Sequence, residues 1–176
     1  KATKAGYRPE LIAKTGVCYS TDDGRLVDRF WGRVIFPVHT LSGKVVAFGG
    51  RILQNNPKAA KYVNSPESEI YHKSDHLYGL YFAQQAIVQK DRCILVEGYL
   101  DVISMYQAGI QNVVASSGTS LTTGQIKLIH RFTNNITLLY DGDNAGIKAS
   151  IRGIDMLLEE GMNINVVLLP NGEDPD

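Results

Sequence analysis

Six carboxylates carry the chemistry open to this chain. Glu97, Asp101, Asp141, Asp143, Asp174 and Asp176 cluster around Gly-containing turns: Glu97-Gly98, Asp141-Gly142-Asp143 and Gly172-Glu173-Asp174-Pro175-Asp176. Glycine permits the sharp backbone turns that aim neighbouring side chains at one point. Gathered together, these acids would repel one another unless a cation neutralised them. Hard oxygen ligands without His or Cys select Mg2+ or Mn2+, two or more ions, and not zinc. Each turn alone also reads as an ordinary polar loop, and Asp-Gly-Asp is common as a surface turn. A metal site needs a fold that brings the turns together.

The second half of the chain supplies such a fold. Short apolar runs at Cys93 to Val96, Asn112 to Ala115, Ile136 to Tyr140 and Ile164 to Leu169 read as strands. Helical patterns at Leu100 to Ala108 and Ala145 to Glu160 lie between the outer pairs, and Thr122 or Thr123 can cap a third helix to about Arg131, with Gln125 reaching back. Gly109 and Gly161 stand where left-handed C-caps are expected. The alternation calls for a parallel sheet with helices on its faces. In such sheets ligands bind outside the carboxyl ends of the strands. Glu97 follows the first strand, Asp141 and Asp143 the third, and Asp174 and Asp176 lie after the fourth. Asp101, four residues beyond Glu97, can face the same crevice.

The first half reads as mixed α/β. Arg33 to Val38 and Val45 to Gly49 flank a Gly-containing loop and predict a β-hairpin. A polar stretch through Pro66 predicts loop or irregular edge, and Leu77 to Lys90 predicts a helix leading into the acidic half. The expected division is therefore residues 1–92 and 93–176.

With 176 residues, 44% of them hydrophobic, the chain can bury a core as one domain or two small ones, which excludes a disordered tail. Its apolar runs are too short to span a bilayer, so no membrane partner is expected. Cys18 and Cys93 form no CxxC pair and no zinc spacing, as expected of a reducing cytoplasm. The first residue is Lys1, and no apolar leader follows it, so a piece of a longer protein without a targeting signal is expected. Eighteen basic and 18 acidic side chains give zero net charge. That zero conceals a polarity: residues 1–92 hold 14 Lys and Arg against 8 Asp and Glu, whereas residues 93–176 hold 4 against 10. Two oppositely charged surfaces docking on each other would explain this, as would a basic half that grips phosphates.

Glu97-Gly98-Tyr99-Leu100-Asp101-Val102, Asp141-Gly142-Asp143-Asn144-Ala145-Gly146 and Gly172 to Asp176 resemble, in order and spacing, the three motifs of a Toprim domain. Gly32-Arg33-Val34-Ile35-Phe36-Pro37, Phe48-Gly49-Gly50-Arg51, Lys61-Tyr62-Val63-Asn64-Ser65-Pro66-Glu67, His72-Lys73, Leu77-Tyr78-Gly79-Leu80-Tyr81 and Ala115 to Thr122 narrow the resemblance to the bacterial DnaG-type primase catalytic core. The sequence departs from that pattern at Trp31, where Arg is more usual, and at Glu173, where Lys often precedes the Asp.

The resemblance implies a basic α+β subdomain followed by a Rossmann-like Toprim sheet, in a DNA-dependent RNA polymerase that makes short RNA primers on single-stranded DNA from ribonucleoside triphosphates. It implies Mg2+ or Mn2+ held by Asp141, Asp143 and Asp174, with Asp101 and Asp176 as further ligands. Glu97 would be general base or outer-shell ligand. Arg33, Arg51, Lys61, Asn64 and Lys73 would bind template or nucleotide, and Tyr62 would stack a base or pack in a core. Full-length members also carry an N-terminal zinc-binding domain and a C-terminal domain that binds the replicative helicase. Neither is in this sequence, nor is the helical subdomain that follows the last acidic motif. Two other readings fit the carboxylates: a Toprim nuclease or topoisomerase piece, and a non-catalytic DNA-binding module with a structural ion. Expected localisation is the bacterial cytoplasm, near the nucleoid.

Overall fold

The computed structural model describes residues 1–54, 59–118, 120–140, 153–170 and 173. The chain folds as two compact units, residues 1–38 with 45–72 and residues 39–44 with 73–176. The helix expected to lead between the halves belongs to the second unit.

The first unit is built on β-hairpins. A short helix α1 (Pro9–Lys14), with Pro9 in its first turn where a missing N–H costs nothing, precedes a two-stranded ribbon of β1 (Cys18–Ser20) and β2 (Leu26–Asp28). Then come β3 (Arg33–His39), β4 (Val45–Ile52) and β5 (Tyr62–Asn64), in spatial order β3-β4-β5. Pro37 has no N–H to give a ladder, which an edge strand such as β3 tolerates. The hairpin matches its expectation. The stretch expected as loop or irregular edge contains β5, an antiparallel edge strand that sets Arg51 opposite Tyr62 and Gly49 opposite Asn64. Phe30, Phe36, Val38, Ala47 and Tyr71 are buried here, and Phe30 meets Phe48 edge-on at 6.1 Å.

The second unit carries a four-stranded parallel sheet of β6 (Cys93–Val96), β7 (Val113–Ala115), β8 (Asn135–Tyr140) and β9 (Asn163–Leu168), in order β7-β6-β8-β9. Successive residues load opposite faces. Cys93, Leu95, Val114, Ile136 and Leu138 face α2 (Leu80–Lys90), α4 (Thr123–His130) and Leu157, within the helical stretch 153–159. Val96, Val113 and Ala115 face Val102 and Met105 of α3 (Tyr99–Gln107). Helices on both faces leave β6 and β7 without polar alternation, hence their continuous apolar runs. Each fully buried Leu or Ile contributes about 1.5–3 kcal/mol of transfer free energy.

The periodicity of Leu77 to Lys90 predicted a longer helix than α2. Tyr78 instead exchanges two backbone hydrogen bonds with Ala115, at 2.9 and 3.0 Å, and Gly79 turns the chain with φ +83° into the helix. Leu77 therefore precedes the helix, yet it is buried in the same cluster as Leu80 and Ile87 of α2. At the amino edge, Asp91 ends α2 in the left-handed conformation. Its Oδ1 accepts from Thr133 Oγ1 at 2.7 Å, and its Oδ2 and carbonyl accept from Asn135 Nδ2 at 2.9 and 3.0 Å.

Candidate functional site

The strand order creates the crevice. From β6 the chain crosses to β7 on one side, and from β8 it crosses to β9 on the other. The topological switch point therefore lies between the carboxyl ends of β6 and β8, where open α/β sheets bind ligands. The ladder geometry agrees. β6 and β8 pair from Cys93–Ile136 to Leu95–Leu138, whereas β6 continues beside β7 through Val96 and β8 beside β9 through Tyr140.

Glu97 occupies the end of β6 at this point. It is half-buried, its Oε1 is buried, and its carbonyl accepts the Ser117 N–H at 3.1 Å. Asp101 lies at the start of α3, where its Oδ2 accepts the Gly98 N–H at 2.7 Å. This caps one of the amides that a helix N-terminus leaves unpaired and sets a negative charge against the positive end of the helix dipole. One of its two oxygens is thus committed to the backbone, a role the Gly-x-x-Asp spacing could have signalled.

Lys73 reaches the same edge of the sheet by another route. Residues Lys73–Asp75 form a 3-10 turn seated on the N-terminus of α4. Gln125, fully buried, donates from Nε2 to the carbonyls of Lys73 (3.1 Å) and His76 (2.9 Å), while Thr122 Oγ1 donates to the Ser74 carbonyl at 2.6 Å. Thr122 and Gln125 also close the expected capping box on each other's amides, both at 3.2 Å. A Cβ on Gly124 would lie 2.6 Å from Asp75 Oδ1 and 2.7 Å from the Ser74 carbonyl, so the close approach requires glycine. Ser117, absent from the sequence candidates, is left-handed at φ +60° beside Glu97. The Ser-Ser-Gly run directly after a strand was its only signal.

Four other candidates sit in the first unit at one end of its three-stranded sheet. Arg33 Nη1 donates to the carbonyls of Gly50, Ala60 and Lys61 at 3.2, 2.9 and 3.3 Å, tying the start of β3 to β4 and to the residues that lead into β5. Arg51 Nε is buried and has no hydrogen-bond partner among the described residues. Lys61 is exposed, with its ammonium 5.9 Å from the Tyr62 ring centre, and Asn64 is half-buried on β5. Tyr62 is 37% exposed, so it is not a core residue.

Asp141, Asp143, Asp174 and Asp176 lie outside the described residues. Among the described residues no three His, Cys, Asp or Glu side chains gather as a metal site, and no helix is long and apolar enough to cross a membrane. Glu97 and Asp101 offer hard oxygens at the switch point, a donor type that fits Mg2+ or Mn2+.

Comparison with known proteins divides the chain in a similar way. Residues 1–84 match the family model described as DNA primase catalytic core, N-terminal domain, and residues 94–176 match the Toprim-like model. The DNA primase of Escherichia coli K12 is 46% identical over 177 residues, covering 97% of this chain and 30% of that protein. That of Clostridium acetobutylicum is 50% identical over 171 residues, covering 97% and 28%. The E. coli primase catalytic core superposes with a TM-score of 0.89 at 44% identity, covering 99% of this chain and 57% of that one. A DnaG primase catalytic domain bound to ssDNA gives 0.88 at 43% identity, with the same two coverages. The chain therefore spans less than a third of the length of these two curated relatives.

Proposed function

Since the chain belongs to the bacterial DnaG-type primase family, matching its catalytic core, we propose that it forms the nucleotidyl-transfer part of a primase, a DNA-directed RNA polymerase. Its substrates would be single-stranded DNA template and ribonucleoside triphosphates, and its product a short RNA primer. The observation that carries this reading is the switch point: β6 runs into Glu97 and β8 ends at Tyr140, one residue before Asp141 in the sequence. The bacterial cytoplasm, where template and ribonucleotides meet, is the matching compartment, and the replicative helicase would be met through a separate domain of the kind that full-length members of the family carry.

We assign Asp141, Asp143 and Asp174, with Glu97, Asp101 and Asp176 as further oxygen donors, to hold two or more Mg2+ or Mn2+ ions. Bound there, such ions supply charge stabilisation for the attacking 3′-hydroxyl and the departing pyrophosphate. Glu97 takes the hydroxyl proton or orients an outer-sphere water, and either role suits a half-buried carboxylate at a strand end. The buried Arg51 Nε is a donor without an acceptor among the described residues, and a phosphate oxygen of template or nucleotide would satisfy it. Arg33 has further donors beyond the Nη1 spent on carbonyls, and Lys61, Asn64 and Lys73 complete the phosphate-binding set. Residues 1–92 take the role of template and nucleotide grip and the parallel sheet that of metal holder.

The test combines two readouts on the 176-residue chain. Mn2+ binding followed by loss of the free-ion resonance should weaken by tenfold or more, as an order of magnitude, in Asp141→Ala and Glu97→Gln. With single-stranded template, labelled ribonucleotides and Mg2+ or Mn2+, primer should form and Asp141→Ala should abolish it, while template affinity stays unchanged or rises. Strand cleavage without synthesis would overturn the assignment in favour of a Toprim nuclease.

A further inference from the structure

Trp31 is 85% exposed, the largest exposure among the large hydrophobic side chains described. Its backbone setting is rigid. Arg33 N–H donates to the Phe30 carbonyl at 3.2 Å, closing a tight turn in which Trp31 is the first corner residue and Gly32, at φ +68°, the second. That left-handed second corner defines a type II turn and favours glycine. The turn is fastened on both sides. The Phe30 N–H donates to Asp28 Oδ1 at 2.8 Å, and the Gly32 carbonyl accepts the Leu53 N–H at 3.2 Å. Phe30 itself is buried, only 8% exposed, and a Cβ on Gly50 would come within 2.7 Å of its ring, so β4 closes over it. Adjacent aromatic residues thus divide their work, Phe30 filling the core and Trp31 standing clear of it.

The surroundings are cationic. Arg29 and Arg33 flank the turn, Arg33 ties its base to the Ala60 and Lys61 carbonyls, and the Lys61 side chain is exposed. Asp28, the acid two residues before the turn, has its Oδ1 engaged by the Phe30 amide. A large planar side chain held at a rigid corner among positive charges suits an unpaired base with its phosphates alongside, since stacking accepts any base and the cations accept the backbone.

We propose that Trp31 is a stacking platform for a base of single-stranded DNA, a positioning residue that fixes template register beside the Arg33 and Lys61 charges. The proposal rests on the template-binding reading above. Trp31 is the sole tryptophan of the chain, so its emission reports its contacts directly.

The experiment titrates the chain with a dye-labelled oligo-dT, following dye anisotropy for binding and Trp31 emission for stacking. Emission should be quenched in step with anisotropy, and an oligonucleotide of the same length made of abasic sugars should bind without the quench. Trp31→Ala should weaken oligo-dT binding about tenfold with an unchanged salt slope, and Trp31→Phe should restore most of the loss. Lys61→Ala should instead lower the salt slope and keep the quench. Binding with unchanged emission, or Trp31→Ala at full affinity, would overturn the platform while leaving template binding intact. Self-association that depends on Trp31, with DNA affinity unaffected by its loss, would reassign the residue to a protein contact. An absence of binding in both signals would overturn the template reading, and the platform with it.

Discussion

Gln125 holds the backbone of Lys73 from inside the core, its Nε2 lying 3.1 Å from the Lys73 carbonyl across 52 residues of sequence. A surface cation is thereby located by a side chain that is itself fully buried. Gln125→Leu would remove the side-chain donor to the His76 carbonyl and leave the Lys73 carbonyl with only the 3.4 Å bond from the His76 N–H, at a cost of about 1–3 kcal/mol. The expected result is a lower urea midpoint together with weaker nucleotide binding. Nucleotide binding at the wild-type level in a correctly folded Gln125→Leu would show that the location of Lys73 does not matter.

Asp101 and Gly98 define a second test. If the 2.7 Å contact is mainly a cap, Asp101→Asn keeps an acceptor for the Gly98 amide and should lose only a few tenths of a kcal/mol, whereas Asp101→Ala should lose about 1 kcal/mol. Chemical denaturation of the two variants measures the difference. Mn2+ affinity measured in Asp101→Asn then separates capping from any ligand role, because the amide preserves the first and weakens the second.

Much of this was legible in the sequence. The four strands of the parallel sheet fall within a residue of expectation because each holds a short apolar run, β6 and β7 buried on both faces and β9 largely exposed at the sheet edge, and Thr122 caps α4 with Gln125 as expected. The capping spacing predicted the reciprocal bonds but not that Gln125 would spend its amide nitrogen on Lys73 and His76. Such long-range acceptors leave no local trace. Leu77 and Leu80 have helical spacing and are buried in one cluster, yet Tyr78 between them bridges to Ala115 in the sheet and the helix begins only at Leu80. β5 leaves no signal in the sequence because three residues among polar neighbours have no period to detect. Of the candidate carboxylates, Glu97 is found at the strand end where sequence expected it. Asp141, Asp143, Asp174 and Asp176 lie outside the described residues, and their roles rest on motif resemblance.

Cys93 supplies a pH signature. It is fully buried in the sheet, and burial pushes its thiol far above the ordinary range. Below the unfolded thiol value near pH 8.5, both states carry the proton and stability is unaffected. Above it the unfolded chain ionises while the native chain cannot, so stability falls by about 1.4 kcal/mol per pH unit until the native value is reached. Equilibrium unfolding between pH 8 and 10 should show this decline, and Cys93→Ala, though less stable at pH 7 from its cavity, should flatten the limb attributable to this group. An unchanged alkaline slope in Cys93→Ala would assign the decline elsewhere.

The Asp91, Thr133 and Asn135 contacts have a mechanical consequence for the crevice at the other edge of the sheet. They stitch the end of α2 to the start of β8 at the amino edge, and the β6–β8 ladder stops at Leu95 and Leu138, short of the carboxyl edge. Joined at the amino edge, the two strands lead to the crevice with different neighbours, β6 paired with β7 through Val96 and β8 with β9 through Tyr140. The floor of the crevice is thus anchored below, while its two walls belong to separate ladders.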